Sequence, residues 1–228
     1  MTIAILQNGI RRNFKVCQEN HSKFYNILQD IYGIKVYDFY KSDSKQKQKF
    51  NSGGKIQLYD LLENSKNIEE DIFIKVRSDI FITTTAQQVI IKEIEKVISN
   101  QIDIIFLGTN IHNDYNQTYK IYEDTKSCSR LNDFVIIVRK SCLPNYDSIK
   151  NSLINGNDHI SGNVYFHLLI NDNVRASNVS TQIYIVRSEP KNVNDNWEIY
   201  YTWAQSYMYN AVKQHNWIRD KKNIIRAY

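Results

Sequence analysis

An arginine and an aspartate, Arg77 and Asp79, stand two positions apart directly after a short, largely apolar run. That run, Ile72 to Val76, is predicted to be a buried strand because of its length and composition. A carboxylate just past the carboxyl end of a central strand lies where open α/β sheets place their ligand chemistry. In a nucleotide-dependent enzyme, such an aspartate can hold a divalent metal against a diphosphate. The alternative is an exposed salt pair at a strand end, and many such pairs have no function.

A second set of cations, Arg11 and Arg12, follows the first apolar run of the chain, Thr2 to Leu6. The run is predicted to be a strand, and Gly9 lies in the turn that leads from it to a helix. A guanidinium suits a diphosphate because its fork donates paired, charged hydrogen bonds. Cations are disfavoured at a helix start, which favours an anionic partner there. The alternative is that both arginines belong to a solvated helix start.

Further candidates lie in the second half of the chain. Asp158 and His159 stand in a polar loop before a predicted helix near 162–170, and both are candidate acid, base or metal groups. The alternative role for Asp158 is a helix cap or a turn. The lysine-rich stretch 41–54 is predicted to be a loop that folds over a ligand or is simply solvated. The aromatic segment 197–228 either covers the sheet or lines a sugar-binding face.

Apolar runs and helical patterns alternate along the chain. The predicted strands are 2–6, 34–40, 72–76, 102–107, 134–138 and 182–186, and the predicted helices are about 14–32, 55–64 and 86–100. This alternation predicts an α/β fold with a mostly parallel central sheet flanked by helices. The sequence contains neither G-x-G-x-x-G nor a P-loop, which disfavours dinucleotide enzymes and P-loop kinases.

Composition narrows the class of protein further. A chain of 228 residues is enough for one sizeable domain, and its net charge of +5 suits an anionic ligand such as a nucleotide diphosphate. We expect no nucleic-acid partner, because the charge is dispersed; the rival is a nucleic-acid-binding module that uses the lysine-rich stretch and the basic C-terminal segment. The three cysteines lack C-x-x-C spacing and predict free thiols in a reducing compartment. Without a signal peptide or a membrane-length apolar run, the sequence predicts a cytoplasmic protein with no transmembrane segment.

Four motifs occur in a particular order over residues 2–140: Gly9 with Arg11 or Arg12, Gly54 with Gln57, Lys75–Ile80 (KVRSDI), and Asn132–Phe134. In order and spacing they resemble the small GT-A glycosyltransferases. The greatest similarity is to those of large DNA viruses and to the WavE-type enzymes of bacterial lipopolysaccharide synthesis. The resemblance implies a single GT-A-like (Rossmann-like) domain over 1–228, with a nucleotide-sugar half at 1–107 and an acceptor half at 108–228.

The resemblance also implies an activity: transfer of a hexosyl or pentosyl group from a nucleotide-diphosphate sugar to a glycan or other hydroxyl acceptor. A UDP-sugar is the favoured donor. The expected location of the protein is the cytoplasm, which would be the cytoplasm of the host if the protein is viral. The alternative is a non-catalytic nucleotide- or glycan-binding protein on the same fold. The motifs specify neither the sugar, nor the acceptor, nor the oligomeric state.

The family usually binds Mn²⁺ or Mg²⁺ through a D-x-D motif, whose first position is here Arg77. Only Asp79 remains as a carboxylate ligand; either it suffices with phosphate and water oxygens, or Arg77 neutralises the diphosphate itself. The resemblance makes Asp158 the base that deprotonates the acceptor. The implied donor-binding residues are Gly9, Arg11, Arg12, Gln57, Arg77 and Asp79.

Overall fold

The structure, a computed structural model, describes residues 1–10, 14–41, 61–108, 117–120, 134–143, 175–181, 183–188 and 198–200. Its strands are β1 (Ile3–Ile10), β2 (Lys35–Lys41), β3 (Ile72–Arg77), β4 (Ile80–Ile82), β5 (Ile104–Gly108), β6 (Gln117–Lys120), β7 (Val135–Arg139), β8 (Arg175–Ser180), β9 (Ile183–Ser188) and β10 (Glu198–Tyr200). Its helices are α1 (Lys15–Tyr32) and α2 (Thr84–Ile98), together with helical residues at 61–65 and a 3₁₀ turn at Lys140–Cys142.

Seven of the described strands form one open sheet in the order β2-β1-β3-β7-β5-β8-β6. Strands β2, β1, β3, β5 and β8 run in one direction, whereas β7 and β6 run in the other. Helix α1 connects the parallel neighbours β1 and β2, because parallel strands cannot be joined by a tight hairpin. The predicted α/β fold with a mostly parallel central sheet is confirmed.

One face of this sheet packs against helices α1 and α2. Ile5, Ile74 and Ile137 lie side by side on β1, β3 and β7 and are fully buried. Phe24 of α1 and Ile90 of α2 are buried in the same apolar cluster. Burying a side chain of this size stabilises the fold by about 1.5–3 kcal/mol, so this layer is a large part of what holds the sheet to the helices.

The opposite face of the sheet is buried as well. Leu6, Phe73 and Phe106 are fully inaccessible to solvent, and so is Lys75, which lies beside Leu6 in the register of β1 and β3. Because both faces are covered, the central strands read as nearly continuous apolar runs and not as alternating ones. This is why they could be predicted from the sequence.

The ends of both helices follow from local chemistry. Helix α1 ends at Gly33, which adopts a left-handed conformation with φ 62°, and its N–H donates to the Gln29 carbonyl oxygen over 2.9 Å. A residue with a Cβ is strained in that conformation, so a glycine is the usual terminator. Helix α2 begins after Thr83, whose hydroxyl oxygen accepts from the Ala86 N–H over 3.1 Å. The end of α1 at Tyr32 matches the helix predicted at about 14–32, whereas α2 begins two residues before the helix predicted at 86–100.

A second, antiparallel sheet has the order β10-β9-β4. The chain enters it directly from the large sheet, because only Ser78 and Asp79 separate β3 from β4. It does so again between β8 and β9, where the Thr181 N–H donates to the Gly108 carbonyl oxygen over 2.8 Å. Ser78 and Asp79 therefore lie at a junction between two sheets.

Four of the described strands were not predicted. They are β4 at residues 80–82, β6 at 117–120, β8 at 175–180 and β10 at 198–200. β6 and β8 are largely polar. β6 is the outermost strand of the large sheet and β8 is its neighbour, and an apolar pattern is not required there. β4 has three residues, too few to show a period.

Other predictions fall outside the described residues: most of the loop 41–54, the helix near 162–170 and most of the segment 197–228. Lys41, placed in that loop, instead ends β2. The division of a single domain at residue 107 stays a prediction. Among the helices that the structure describes, none has the length and apolar character needed to cross a membrane.

Candidate functional site

The carboxyl ends of three neighbouring parallel strands meet at one edge of the large sheet. Arg77, the last residue of β3, lies in register with Asn8 of β1, and Gly9 lies in register with Tyr40 of β2. The strand next to β3 on the other side is antiparallel and begins at this edge. The Arg77 N–H donates to the carbonyl oxygen of Phe134, just before that strand, over 3.3 Å. The edge is therefore the place where open α/β sheets bind their ligands.

Arg77 and Asp79 form a bidentate ion pair at this edge. The Arg77 Nε donates to Oδ1 of Asp79 and Nη2 donates to Oδ2, each over 3.0 Å. Only 19% of the Arg77 side chain and 12% of the Asp79 side chain are exposed. A salt pair does form, as the alternative prediction held, but it is mostly buried and not exposed. Two parallel charged hydrogen bonds fix the orientation of the guanidinium as well as its position.

An aromatic ring supports the same guanidinium. The Arg77 Cζ lies 5.5 Å from the centroid of the Phe134 ring. A cation over a ring face at this range is stabilised by about 0.5–1 kcal/mol or more. A guanidinium carries five N–H donors, and the carboxylate engages two of them in parallel. Arg77 is thus held by a carboxylate and a ring at the ligand-binding edge.

The residues present do not fit a divalent cation on Asp79 while this ion pair is intact. Both carboxylate oxygens already accept an N–H from Arg77. A Mg²⁺ ion binds carboxylate oxygens at about 2.0–2.1 Å, which would place it against the guanidinium charge. Within the described ranges, no cluster of three or more His, Cys, Asp or Glu side chains could hold a metal. The Mn²⁺ or Mg²⁺ dependence stays a prediction, and at Asp79 it requires Arg77 to turn away.

Helix α1 holds the strand that follows the ion pair. Asn20 Nδ2 donates to the Ile82 carbonyl oxygen over 2.9 Å, and the Ile82 N–H donates to Asn20 Oδ1 over 2.7 Å. His21 Nε2 donates to the Ile80 carbonyl oxygen over 2.8 Å. Burial lowers the pKa of His21 to about 4, against smaller opposing effects of the Ile80 carbonyl and the Asp79 charge. The imidazole is therefore neutral at pH 7 and acts as a hydrogen-bond donor.

The sequence-predicted site residues divide into two groups. Arg77 and Asp79 lie close to the carboxyl edge of the large sheet, where they were expected, although their roles stay predictions. Gly9 lies near the same edge, but it belongs to β1, which continues to Ile10, and not to the turn predicted after Leu6. The remaining candidates, Arg11, Arg12, Gln57, Asp158 and His159, lie outside the described residues.

Sequence reasoning missed the contacts of Asn20 and His21 with β4. One signal was present: both lie among the buried residues of α1, between Cys17 and Phe24. Buried polar side chains are nearly always hydrogen-bonded, so a polar residue on an apolar helix face indicates a specific partner. The sequence alone does not say which partner.

No protein-family model matches the chain, and no curated protein matches its sequence. Among solved structures, a glycosyltransferase involved in the glycosylation of the major capsid of PBCV-1 matches with a TM-score of 0.52. The match covers 77% of this chain and 81% of that one, at 11% identity. The chain has a GT-A-like fold. The expected likeness to small viral GT-A glycosyltransferases is therefore confirmed at the level of the fold.

Two further solved structures are less similar. A197 from STIV matches with a TM-score of 0.42 at 13% identity, over 83% of this chain and 87% of that one. A CMP:2-keto-3-deoxy-manno-octonic acid synthetase in complex with CTP matches with a TM-score of 0.39 at 10% identity, over 79% and 89%. Likenesses of this size show nothing about the activity of this chain.

Proposed function

We propose that the protein is a glycosyltransferase that moves a sugar from a nucleotide-diphosphate sugar to a glycan or other hydroxyl acceptor. A UDP-sugar is the favoured donor, and the group transferred is a hexosyl or pentosyl unit. The observation that carries the proposal is the mostly buried, bidentate Arg77–Asp79 pair at the carboxyl end of β3. The fold shared with the PBCV-1 glycosyltransferase supports it, since this edge is the ligand-binding edge of such sheets.

Arg77 performs the main electrostatic task in this proposal. When the bond between sugar and diphosphate breaks, negative charge develops on the leaving phosphate. A preoriented guanidinium stabilises that charge without having to reorganise during the reaction. Asp79 and the Phe134 ring keep the guanidinium oriented. We therefore assign the neutralising charge to Arg77 and not to a metal bound at Asp79.

The residues outside the described ranges complete the proposal as predictions from the sequence. Arg11, Arg12 and Gln57 add donor contacts, and Gly9 lies at the end of the strand that leads to them. Asp158 is the predicted base that takes the proton from the acceptor hydroxyl. A general base contributes about 10²–10⁴-fold, so a loss below about tenfold in Asp158→Asn would remove it from this role.

A non-catalytic nucleotide- or glycan-binding protein is the second candidate. The observation that favours it is the engagement of both Asp79 oxygens by Arg77, which is what a lost metal site would leave behind. A nucleotide-binding protein of this kind binds the nucleotide sugar but neither transfers the sugar nor hydrolyses the donor, so it differs from the glycosyltransferase in turnover and not in binding. A glycan-binding protein differs in binding as well, because it does not bind the nucleotide.

A thermal-shift screen of nucleotides and nucleotide sugars, with and without Mn²⁺, tests the proposal first. A ligand at 100 times its Kd stabilises a fold by about 2.7 kcal/mol, which is a visible rise in Tm. We expect stabilisation by one nucleotide-diphosphate sugar, followed by release of free nucleotide when acceptor glycans are added. Stabilisation without any release of nucleotide would favour the binding protein. No stabilisation by any of them would contradict the glycosyltransferase and a nucleotide-binding protein, and would leave a glycan-binding protein as the remaining candidate.

A further inference from the structure

Strand β4 has a strand partner on one side only. It forms the end of the three-stranded sheet and pairs with β9, with Phe81 opposite Tyr184. One residue before β4, the Asp79 carbonyl oxygen accepts from the Val186 N–H over 2.7 Å. The N–H and C=O of successive residues point to alternate sides of a strand, so the backbone N–H and C=O of Ile80 and Ile82 point away from β9. A three-residue strand with one neighbour has little intrinsic stability.

Asn20 and His21 of α1 occupy the side of β4 that lacks a strand. Asn20 offers both a donor and an acceptor to one residue, Ile82, as a neighbouring strand would do. His21 donates to the carbonyl oxygen of Ile80. Their exposed fractions are 1% and 4%, so water does not compete for these bonds. In a poorly hydrated site each such bond is strong, and leaving its partner unsatisfied is costly.

The contacts of Asn20 and His21 with β4 are linked to the Arg77–Asp79 pair through the backbone between Asp79 and Ile80. The Asp79 carbonyl oxygen is held by β9 on one side, and the next carbonyl, that of Ile80, is held by His21 on the other. Consecutive carbonyl groups fixed from opposite sides leave the backbone of Asp79 little freedom to rotate. The Asp79 carboxylate in turn sets the direction of the Arg77 guanidinium.

We propose that Asn20 and His21 are positioning residues for the donor site. By completing β4 from helix α1 they fix Asp79, and through Asp79 they orient Arg77 toward the donor diphosphate. The part that concerns the donor rests on the proposed function. The part that concerns the Arg77–Asp79 pair is independent of any ligand.

The ligand-independent part is tested by solvent exchange of the Arg77 Nε–H, followed by ¹⁵N NMR. The variants are His21→Leu, which removes the donor to Ile80, and His21→Gln, which retains an amide donor. Leu28→Ala is the matched control, because Leu28 is a fully buried residue of the same helix in the apolar core. We expect Arg77 Nε–H exchange to be about tenfold faster in His21→Leu, which corresponds to about 1.4 kcal/mol, and unchanged in Leu28→Ala and His21→Gln.

A second variant, Asn20→Ala, keeps the proposal testable if His21→Leu does not fold. Asn20→Ala should speed exchange of the Ile82 amide by about ten- to a hundredfold, because that amide loses its buried acceptor. The Arg77 Nε–H should respond in the same direction. If the Ile82 amide exchanges faster while Arg77 does not change in either variant, the contacts hold β4 but do not position the pair, and the proposal is overturned.

Donor affinity and turnover decide the remaining part. At a temperature where all variants are folded, we expect His21→Leu to weaken donor binding or turnover about tenfold, whereas the core variant Leu28→Ala does neither. Equal effects in His21→Leu and Leu28→Ala would show a purely structural role. If the unsubstituted protein binds no nucleotide sugar, the proposed function fails, while the Arg77 exchange data still decide the positioning.

Discussion

Arg77 and Asp79 face each other across the junction of two sheets, with Nε and Nη2 of the arginine each 3.0 Å from one carboxylate oxygen. The relationship turns two charged residues that stand two positions apart in the sequence into one unit with a fixed direction. Because one member is a cation at the carboxyl edge of the large sheet, we propose this unit as the binding site of the donor diphosphate. Most of the expected behaviour of the protein depends on this pair.

Replacing Asp79 with asparagine should lower kcat/KM for sugar transfer by about a hundredfold. The guanidinium loses its charged partner and its orientation, and small misplacements of a catalytic group cost that much. Steady-state kinetics with the donor found in the thermal-shift screen measures the effect. Asp71→Asn is the control, since Asp71 stands at the other end of β3 and bonds to Thr2. Near-normal turnover in Asp79→Asn would remove Asp79 from the site.

Donor binding by the unsubstituted protein should not depend on Mn²⁺, whereas binding by Arg77→Asp should require it. The substitution removes the cation that we assign to the diphosphate and supplies the missing carboxylate of a D-x-D motif. Isothermal titration with and without EDTA measures both affinities. Arg77→Lys keeps the charge but not the fork, so metal-independent binding should persist at roughly tenfold lower affinity. Loss of donor binding by the unsubstituted protein in EDTA would show that a metal is needed after all.

Removing the ring beneath Arg77 should weaken donor binding modestly. Phe134→Leu loses the cation–π contact, which is worth about 1 kcal/mol, and therefore about fivefold in Kd. Phe134→Tyr retains the ring face and should bind as the unsubstituted protein does. A Kd unchanged in both variants would mean that the ring only fills space.

Stability should fall in mild acid because of His21. Its pKa is about 4 when folded and about 6.5 when unfolded, so between these values the unfolded chain binds a proton that the folded chain does not. The free energy of unfolding therefore decreases as the pH falls from 6.5 to 4, by about 3 kcal/mol in total. Urea unfolding of the protein and of His21→Gln at pH 7 and pH 4 isolates this contribution. A difference between the two proteins that stays constant with pH would contradict it.

A second ion pair, at the amino ends of β5 and β8, should contribute to the stability of the fold but not to donor binding. Asp103 accepts three hydrogen bonds from Arg175, from the backbone N–H, Nε and Nη2, each over 2.9 Å. We expect Asp103→Asn to lower the free energy of unfolding by about 1.5–3 kcal/mol at pH 7, with donor binding unchanged. Asp30→Asn, at an exposed position near the end of α1, should change it by less than about 0.5 kcal/mol.

The same pair has a defined pH dependence. Burial raises the pKa of Asp103, but the hydrogen bonds and charge of Arg175 outweigh it and hold the pKa below its usual value. The contribution to stability is thus complete above the unfolded pKa of about 3.9 and is lost as the pH falls through the lower folded value. Thermal unfolding of the protein and of Asp103→Asn at pH 7 and pH 3 should show the difference between them shrinking in acid.

The central strands and both helices could be predicted because their signals are local. Ile72–Val76 is apolar except for the buried Lys75, and Ile104–Leu107 is apolar throughout, since both faces of the sheet are covered. Gly33 and Thr83 mark helix ends through their own backbone and hydroxyl chemistry. β8, by contrast, is largely polar and is a strand because β5 and β6 flank it. No local pattern encodes that partnership.

The sequence by itself determined that an arginine and an aspartate follow a buried strand, and therefore that chemistry at a sheet edge was plausible. Only the tertiary structure decided that the two side chains bind each other, over Phe134 and beside a strand that Asn20 and His21 complete. The physical reason is distance along the chain. Asn20 and Ile82 are 62 positions apart, and Arg77 and Phe134 come together only when β3 and β7 pair. Contacts of that kind depend on the packing of the whole sheet, so the residues nearby can indicate that a partner exists but not which partner it is.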